Sequence, residues 1–182
     1  MIKTKDDLKE YIKSDQSARS PYISGKLNRI LMKDVDIYIF KYLKLLRKQE
    51  YFLNQERTLK NKIMYYYYTR KKNKVGMKLQ FNIPPNVFDE GLVLNHHGTL
   101  IINAGAKVGK NCILHGNNCI GNDGKEQRAP IIGDNVDIGV NASVIGDVYL
   151  ADGIVVGANS VVTKSFREKN IVIAGVPAKK IH

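Results

Sequence analysis

The most regular feature of the chain is a six-residue spacing of aliphatic residues in its second half. The aliphatic lead positions are Ile102, Val108, Leu114, Ile120, Ile132, Ile138, Val144, Leu150, Val156 and Val162. Four residues after the last six of them come Val136, Ala142, Val148, Ile154, Ser160 and Phe166. A period of six fits neither an α-helix nor an array of hairpins, and it is typical of a parallel β-helix. Three hexads should form one coil, with both sets of residues pointing inward and glycine or asparagine at the turns.

The N-terminal part of the chain lacks this period and has helical spacing instead. Thr4 is a suitable N-cap for a first helix, which should end before Ser20-Pro21 because proline disfavours helix in the residue before it. Apolar residues at helical spacing between basic residues predict an amphipathic second helix within residues 34–55. A third helix is predicted from about Thr58 to Lys74.

Two interruptions divide the chain. Residues 76–85 include two adjacent prolines that a helix could not contain, so a boundary is expected there. We predict a helical, basic N-terminal region over 1–77 and a β-helix domain over 78–182. The polar segment 122–130 interrupts the hexads, and we interpret it as a loop that leaves the coil. Loops on rigid repeat scaffolds often carry function.

The net charge of +12 is concentrated in the N-terminal region, where residues 1–77 hold 19 Lys and Arg against 8 Asp and Glu. Tyr65–Tyr68, followed by Arg70, Lys71 and Lys72, is an unusual aromatic and basic cluster. It would suit docking at a membrane surface or stacking on nucleic acid. It would equally suit a helix end with two buried tyrosines and solvated cations. No nucleic-acid-binding module is recognisable, so no nucleic-acid partner is predicted.

The remaining composition points to a cytoplasmic protein. No apolar run resembles a signal peptide or a transmembrane helix. Two cysteines are too few for a disulfide framework, and Cys112 falls on an inward hexad position as a small core residue. Reduced thiols are typical of the cytoplasm. We therefore expect a cytoplasmic protein, with membrane association through the basic region as an open alternative.

Two further segments carry a resemblance to a known family. The hexads and the closing IAGVPAKKI (residues 173–181) resemble the left-handed β-helix of hexapeptide acyltransferases and its C-terminal signature. GLVLNHHGTLIINAGAKVG (residues 91–109) is similar to the catalytic segment of serine acetyltransferases, especially those of capsule and exopolysaccharide clusters. The resemblance covers roughly residues 80–181. It implies a mainly β fold, a left-handed coil, acetyl-CoA as acyl donor and a homotrimer with active sites between subunits.

Histidines in this segment are the candidates for acid–base chemistry. The resemblance makes His96 the general base, a role that suits histidine near neutral pH. Adjacent residues of a strand face opposite ways, so His97 is expected to flank the site. His115 follows the inward Leu114, should face outward, and is expected to line the same cleft from the neighbouring coil. We predict His96, Asn95 and His115 as the catalytic group, with the Asn95 carbonyl orienting the imidazole.

The segment also departs from serine acetyltransferases. The family's aspartate before the base is replaced by Asn95, and a second aspartate, about fifteen residues upstream, falls near Asn82. A family histidine in the loop is Ala129, although the arginine before it is kept as Arg128. Asn82 and Arg128 are therefore the candidate acceptor-binding residues, and the departures make free serine doubtful as acceptor. Asp89 and Glu90 are the candidates to supply the missing carboxylate.

The resemblance also implies a coenzyme site. Gly139, Gly157 and Ala158 match positions where small residues let the pantetheine arm approach the backbone, although each is equally well explained as an ordinary turn residue. Lys164, Lys179 and Lys180 are candidates for contacts with the coenzyme phosphates. No metal-ligand spacing, Walker motif or dinucleotide fingerprint occurs, so no metal cofactor is predicted.

These patterns together favour an acetyl-CoA-dependent O-acetyltransferase. The acceptor is expected to be a glycan or a small molecule, and the reacting group a sugar hydroxyl in surface-polysaccharide biosynthesis. Serine is the second candidate. A hypothesis of another class is a non-catalytic β-helix scaffold whose basic N-terminal region binds a membrane or a partner protein.

Overall fold

In the part of the chain that the structure describes, three helices are followed by short strands. The computed structural model describes residues 1–18, 34–124 and 127–182. The helices are α1 (Lys5–Ser17), α2 (Val35–Leu53) and α3 (Leu59–Leu79). The strands are β1 (Phe81–Asn82), β2 (Val93–Leu94), β3 (Leu100–Ile102), β4 (Lys107–Val108), β5 (Ile113–Leu114), β6 (Cys119–Gly121), β7 (Ile131–Ile132), β8 (Asp137–Ile138), β9 (Ser143–Ile145), β10 (Tyr149–Leu150), β11 (Val155–Val156), β12 (Val161–Val162), β13 (Val172–Gly175) and β14 (Ala178–Lys180). The predicted break at Ser20-Pro21 lies outside the described residues.

The strands stack into three sheets that wrap around one core. Sheet A contains β1, β3, β6, β9 and β12, sheet B contains β4, β7 and β10, and sheet C contains β2, β5, β8, β11, β13 and β14. Within these sheets neighbouring strands pair in parallel, except that β14 folds back antiparallel on β13. From β1 to β13 consecutive strands lie in different sheets, and each complete coil contributes one strand to each sheet. The prediction of a mainly β, parallel β-helix preceded by helices is confirmed.

Aliphatic side chains fill the interior of the coil. All ten lead positions of the hexads are buried. In sheet C, Leu114 stacks on Ile138 and Ile138 stacks on Val156, as the parallel register requires. The residues four places later are also buried, apart from the half-buried Phe166. The expected inward orientation of both sets is therefore confirmed.

The loop at residues 122–130 changes the register of one coil. Ile102 pairs with Ile120, eighteen residues later, whereas Val108 pairs with Ile132, twenty-four residues later. The additional six residues leave the coil between β6 and β7, as the interruption of the hexads predicted. The pairs β4–β7, β5–β8 and β6–β9 all have this twenty-four-residue step. The step decides which outward side chains of the two coils become neighbours.

Asparagines supply the left-handed backbone at the turns. Asn111, Asn117, Asn135, Asn141 and Asn159 have φ between 54° and 60°, a region that asparagine tolerates better than bulkier residues. Two pairs form ladders between coils, since the Nδ2 atom of Asn111 donates to Asn135 at 3.0 Å and that of Asn141 to Asn159 at 3.1 Å. These turns confirm the predicted role of asparagine.

A buried arginine holds the helices against the first coil of the β-helix. The Arg47 side chain on α2 is fully buried and pairs with Asp15 of α1 at 2.8 Å and with Glu50 at 3.0 Å. Its guanidinium also donates to the carbonyl oxygens of Phe88 and Asp89. Burial alone would lower the pKa of Arg47, but Glu50 and Asp15 outweigh burial and hold it above its ordinary value. The guanidinium therefore stays charged.

The third helix is longer than its sequence pattern indicated. It runs to Leu79 rather than Lys74 because Val75 and Leu79 are buried against the rest of the fold. Gln80 ends it in the left-handed conformation. Lys72, expected at the surface, is instead buried with its Nζ atom 2.7 Å from the Ile83 carbonyl. Burial lowers the pKa of Lys72 to about 8.

Candidate active site

One corner of the β-helix carries both candidate catalytic histidines. We call the edge where sheet C turns into sheet A the C/A corner. His96 lies on it between β2 and β3, and His115 lies on it between β5 and β6. Leu94 and Leu114 of these two strands are in register. The two histidines therefore occupy adjacent coils at the same corner.

The turn that bears His96 is longer than its neighbours. Eight residues separate the inward Leu94 from the inward Ile102, where the hexads that follow have six. The additional backbone carries His96 and His97, both exposed. A Cβ atom added at Gly116 would lie 3.5 Å from the Cβ of His96 and 3.7 Å from the His97 carbonyl oxygen. The turn thus rests directly on Gly116, whose φ of 115° also favours glycine.

His115 connects two coils by hydrogen bonds. Its Nε2 atom lies 2.9 Å from Oδ1 of Asp137 on β8, and its Nδ1 atom lies 3.1 Å from Nδ2 of Asn95. A carboxylate accepts and an amide nitrogen donates, so of the two neutral tautomers this pair of contacts selects the one with its proton on Nε2. Asn95 is adjacent to His96, so the Asp137–His115–Asn95 chain ends beside the candidate base.

Asp137 is the site residue that the sequence interpretation missed. In sheet C it pairs with Ile113 on one side and Val155 on the other. It is thus a single carboxylate in an otherwise aliphatic row of outward positions. The carboxylate is visible as an exception in the sequence. That its partner is His115 follows only from the twenty-four-residue step between paired strands, which the 122–130 loop creates.

Asp89 and Glu90, the candidate carboxylates for orienting His96, have other partners. The hydroxyl of Tyr11 and the backbone N–H of Glu90 both donate to Asp89. Burial alone would raise the pKa of Asp89, but these hydrogen bonds hold it below its ordinary value. Glu90 pairs with Lys110 at 2.8 Å. Both residues precede β2, whereas the C/A corner follows it, so they lie at the opposite edge of sheet C. Neither therefore orients His96 within one chain.

The small residues predicted for the coenzyme continue the same corner. Gly139 follows β8, and Gly157 and Ala158 follow β11. A Cβ atom at Gly139 would lie 2.6 Å from the Ala158 backbone nitrogen, and one at Gly157 would lie 2.9 Å from the Cβ of Ala174. Close stacking of the coils therefore requires glycine there. The result is an edge with little side-chain bulk, in line with the two histidines.

The three lysines predicted to bind phosphates do not share one place. Lys179 pairs in register with Ala174, so it lies at the end of the glycine edge. Lys180 forms an ion pair with Glu168 at 2.7 Å. Lys164 follows β12, beyond sheet A, and lies over the ring of Phe166. Of these three lysines, Lys179 on the β13–β14 hairpin lies nearest to the C/A corner in the register of sheet C.

The candidate acceptor-binding residues lie in sheet A and in the loop that follows it. Asn82 is exposed on β1, where it pairs with Ile101 of sheet A. Arg128 belongs to the 122–130 loop between sheets A and B, and its side chain lies 2.8 Å from Asp147. Ala129, at the position of the family's loop histidine, is buried. Arg128 therefore lies beyond sheet A from the C/A corner, whereas Asn82 lies on the first strand of sheet A, two residues after Gln80, which contacts Thr99 of the His96 turn.

The described residues contain no group of three or more His, Cys, Asp or Glu side chains arranged to hold a metal ion. Within the same residues, no helix is long and apolar enough to cross a bilayer.

The hydrogen bonds of His115 predict a definite tautomer. In ¹⁵N–¹H spectra of the histidine rings at neutral pH, we expect His115 to show Nε2 protonated and Nδ1 unprotonated, because Asp137 accepts and Asn95 donates. Asp137→Asn should populate both tautomers. His115→Gln assigns the signal, and His97, which is exposed, is the internal control. Equal populations of the two neutral tautomers of His115 in the parent protein would contradict this arrangement.

The chain is similar in sequence and in fold to known acetyltransferases. No profile of a known protein family matches the chain. It is 31% identical over 101 residues to the serine acetyltransferase of Buchnera aphidicola, covering 54% of this chain and 38% of that protein. It is 52% identical over 56 residues to the putative lipopolysaccharide biosynthesis O-acetyl transferase WbbJ of Escherichia coli, covering 31% and 28%. Thus the chain spans less than half the length of these curated relatives.

The likeness in three dimensions extends over nearly the whole chain. The crystal structure of serine acetyltransferase from Brucella abortus in complex with coenzyme A superimposes with a TM-score of 0.75, covering 97% of this chain and 68% of that one at 24% identity. This likeness establishes the fold. The chain therefore has the left-handed β-helix fold of a hexapeptide-repeat acyltransferase and resembles the serine acetyltransferases.

Proposed function

We propose that the protein is an acetyl-CoA-dependent O-acetyltransferase with its active site at the C/A corner. The observation that carries this proposal is the alignment of His96 and His115 with the uncrowded edge of Gly139, Gly157 and Ala158 along a single corner. His96 would supply the base at one end of the corner, and the glycine edge would supply a surface for the extended acetyl-CoA molecule.

The proposed reaction is a direct transfer. His96 accepts the proton of the acceptor hydroxyl while that oxygen attacks the carbonyl carbon of the thioester. The carbon–sulfur bond then breaks, and the released thiolate takes up a proton, so that the free thiol and the acetyl ester are the products. Cys112 is fully buried, and burial raises its pKa well above the ordinary range, so it is unsuited to act as a nucleophile.

The site is proposed to be completed in a homotrimer. Arg128 lies beyond sheet A from His96, so it serves as an acceptor-binding residue only if a neighbouring subunit presents it, whereas Asn82 lies at the start of sheet A in the same chain. Lys179, at the end of the glycine edge, and Lys180, the next residue of β14, are the proposed partners of the coenzyme phosphates. Lys164 is the third candidate, and it too would have to act from a neighbouring subunit.

A cytoplasmic location is proposed with this activity, since both cysteines are unpaired.

A sugar hydroxyl is the proposed acceptor. The likeness to the lipopolysaccharide O-acetyl transferase of Escherichia coli supports a sugar. The amide of Asn95 and the buried methyl of Ala129 replace polar groups that the resemblance associates with holding an amino acid. L-Serine is the second candidate, because the longer matches are to serine acetyltransferases.

Thiol release from acetyl-CoA distinguishes the two acceptors. We expect release with members of a panel of sugars and sugar nucleotides, and little release with L-serine above the rate without acceptor. The measurement is a continuous thiol assay, with product mass confirming one acetyl group per acceptor. Rapid release with L-serine would assign the protein as a serine acetyltransferase. A folded protein that releases no thiol with any acceptor would favour a non-catalytic scaffold.

A further inference from the structure

The outer face of α3 carries a stripe of large apolar side chains that no described part of the chain covers. These are Leu59, Ile63, Tyr66, Tyr67 and Met77, with exposed fractions of 75%, 58%, 59%, 46% and 77%. Residues spaced by three, four, seven or eight along a helix share one face. The opposite face of α3 is the packed one, since Val75 and Leu79 are buried there. The stripe is therefore not the side by which α3 joins the fold.

Cations surround this stripe and carboxylates are absent from the helix. The exposed cations of α3 are Lys60, Lys62, Arg70, Lys71, Lys74 and Lys78. Its sequence from Leu59 to Leu79 contains no Asp or Glu. The Lys71 side chain lies over the Tyr67 ring, so aromatic and cationic groups are interleaved. Apolar side chains, tyrosines and cations on one exposed helical face are the combination found where helices lie at a membrane surface.

We propose that the outer face of α3 docks on an anionic lipid surface. The apolar side chains would enter the headgroup region, and the lysines and Arg70 would contact lipid phosphates. Tyrosine, with an apolar ring and a polar hydroxyl, suits the boundary between the two environments. Lys72 takes no part in this contact, because it is buried against Ile83.

The charge of α3 argues against a second copy of the chain as the occupant. Two copies that met through this face would bring their exposed cations together with no acidic partner on either helix, and like charges in contact are destabilising. Nucleic acid would satisfy the cations, but it offers no apolar environment to Leu59, Ile63 and Met77. An anionic bilayer satisfies both groups.

The end of α3 is joined directly to the turn that bears His96. The backbone N–H of Gly98 donates to the Leu79 carbonyl at 3.1 Å, and the side chains of Thr99 and Gln80 are 2.9 Å apart. A bilayer beneath α3 would therefore lie beside the C/A corner. If the protein acetylates a sugar as proposed, this placement suits an acceptor whose sugar is attached to a membrane lipid.

The experiment is flotation of the full chain with lipid vesicles. We expect binding to phosphatidylcholine vesicles that contain phosphatidylglycerol, weakening as salt rises, and none to phosphatidylcholine alone. Lys74→Glu/Lys78→Glu should lower the partition coefficient about tenfold or more, since each cation near an anionic surface changes binding roughly fivefold. Ile63→Ser/Met77→Ser should also lower it severalfold, because apolar area entering the headgroup region is lost.

Lys5→Glu/Lys13→Glu on α1 is the matched control, because it makes the same change in net charge at exposed positions away from α3. It should retain most of the binding. Equal loss in this control, or no binding to anionic vesicles at low salt, would overturn the proposal. Binding to RNA or duplex DNA that depends on the α3 cations but not on Ile63 and Met77 would assign the face to nucleic acid instead. No donor or acceptor is present in the assay, so its failure leaves the transferase proposal standing.

Discussion

Replacing His96 by alanine is expected to lower the rate of acetyl transfer about a hundredfold or more, since general-base catalysis contributes on that order. The His96 side chain is exposed at an enlarged turn, so its removal creates no cavity and exposes no core. The turn itself is held by the backbone contact of Gly98 with Leu79. The loss should therefore fall on kcat, with thermal stability and oligomeric state unchanged.

His97→Ala is the control for this variant, because it removes the adjacent exposed imidazole from the same turn. It should lower the rate by less than about threefold if only His96 accepts the proton. Undiminished activity in His96→Ala would refute the assignment of the base. A large loss in His115→Gln with little effect of His96→Ala would move that role to the Asp137–His115 pair.

Replacing Arg47 by alanine is expected to lower the free energy of unfolding by about 3–5 kcal/mol, the range found when one partner of a buried ion pair is removed. The side chain is fully buried, and its loss would leave Asp15 and Glu50 without their common partner. The carbonyl oxygens of Phe88 and Asp89 would lose a donor at the same time. Urea unfolding at a fixed protein concentration measures the change.

Lys44→Ala is the matched control, because Lys44 is exposed on the same helix. Its effect should stay within about 0.5 kcal/mol. The result would be contradicted by an Arg47→Ala protein as stable as the parent. Because the Arg47 group connects α1 and α2 to the first coil, we also expect Arg47→Ala to loosen the helices before the later coils. Amide exchange should show this as lost protection in α1 before sheet A.

The N-terminal helices were only partly predictable. The Thr4 N-cap is confirmed, and Asp7 completes a capping box with it, because capping depends on residues within one turn. The length of α3 and the burial of Arg47 and Lys72 were not foreseen. A basic residue on an amphipathic helix is normally solvated, and only distant partners such as Asp15 and the Ile83 carbonyl make burial tolerable.

The sequence alone determined the coils of this protein. A six-residue repeat of aliphatic residues with asparagine and glycine at the turns is a local constraint, repeated until it specifies strands, corners and core. The resemblance located the turn of His96. The tertiary structure decided which outward groups meet: the six additional residues at 122–130 set Asp137 beside His115, and the packing of α3 set its apolar stripe outward. Contacts between coils depend on the length of every intervening turn, and the exposed face of a helix depends on what its other face packs against.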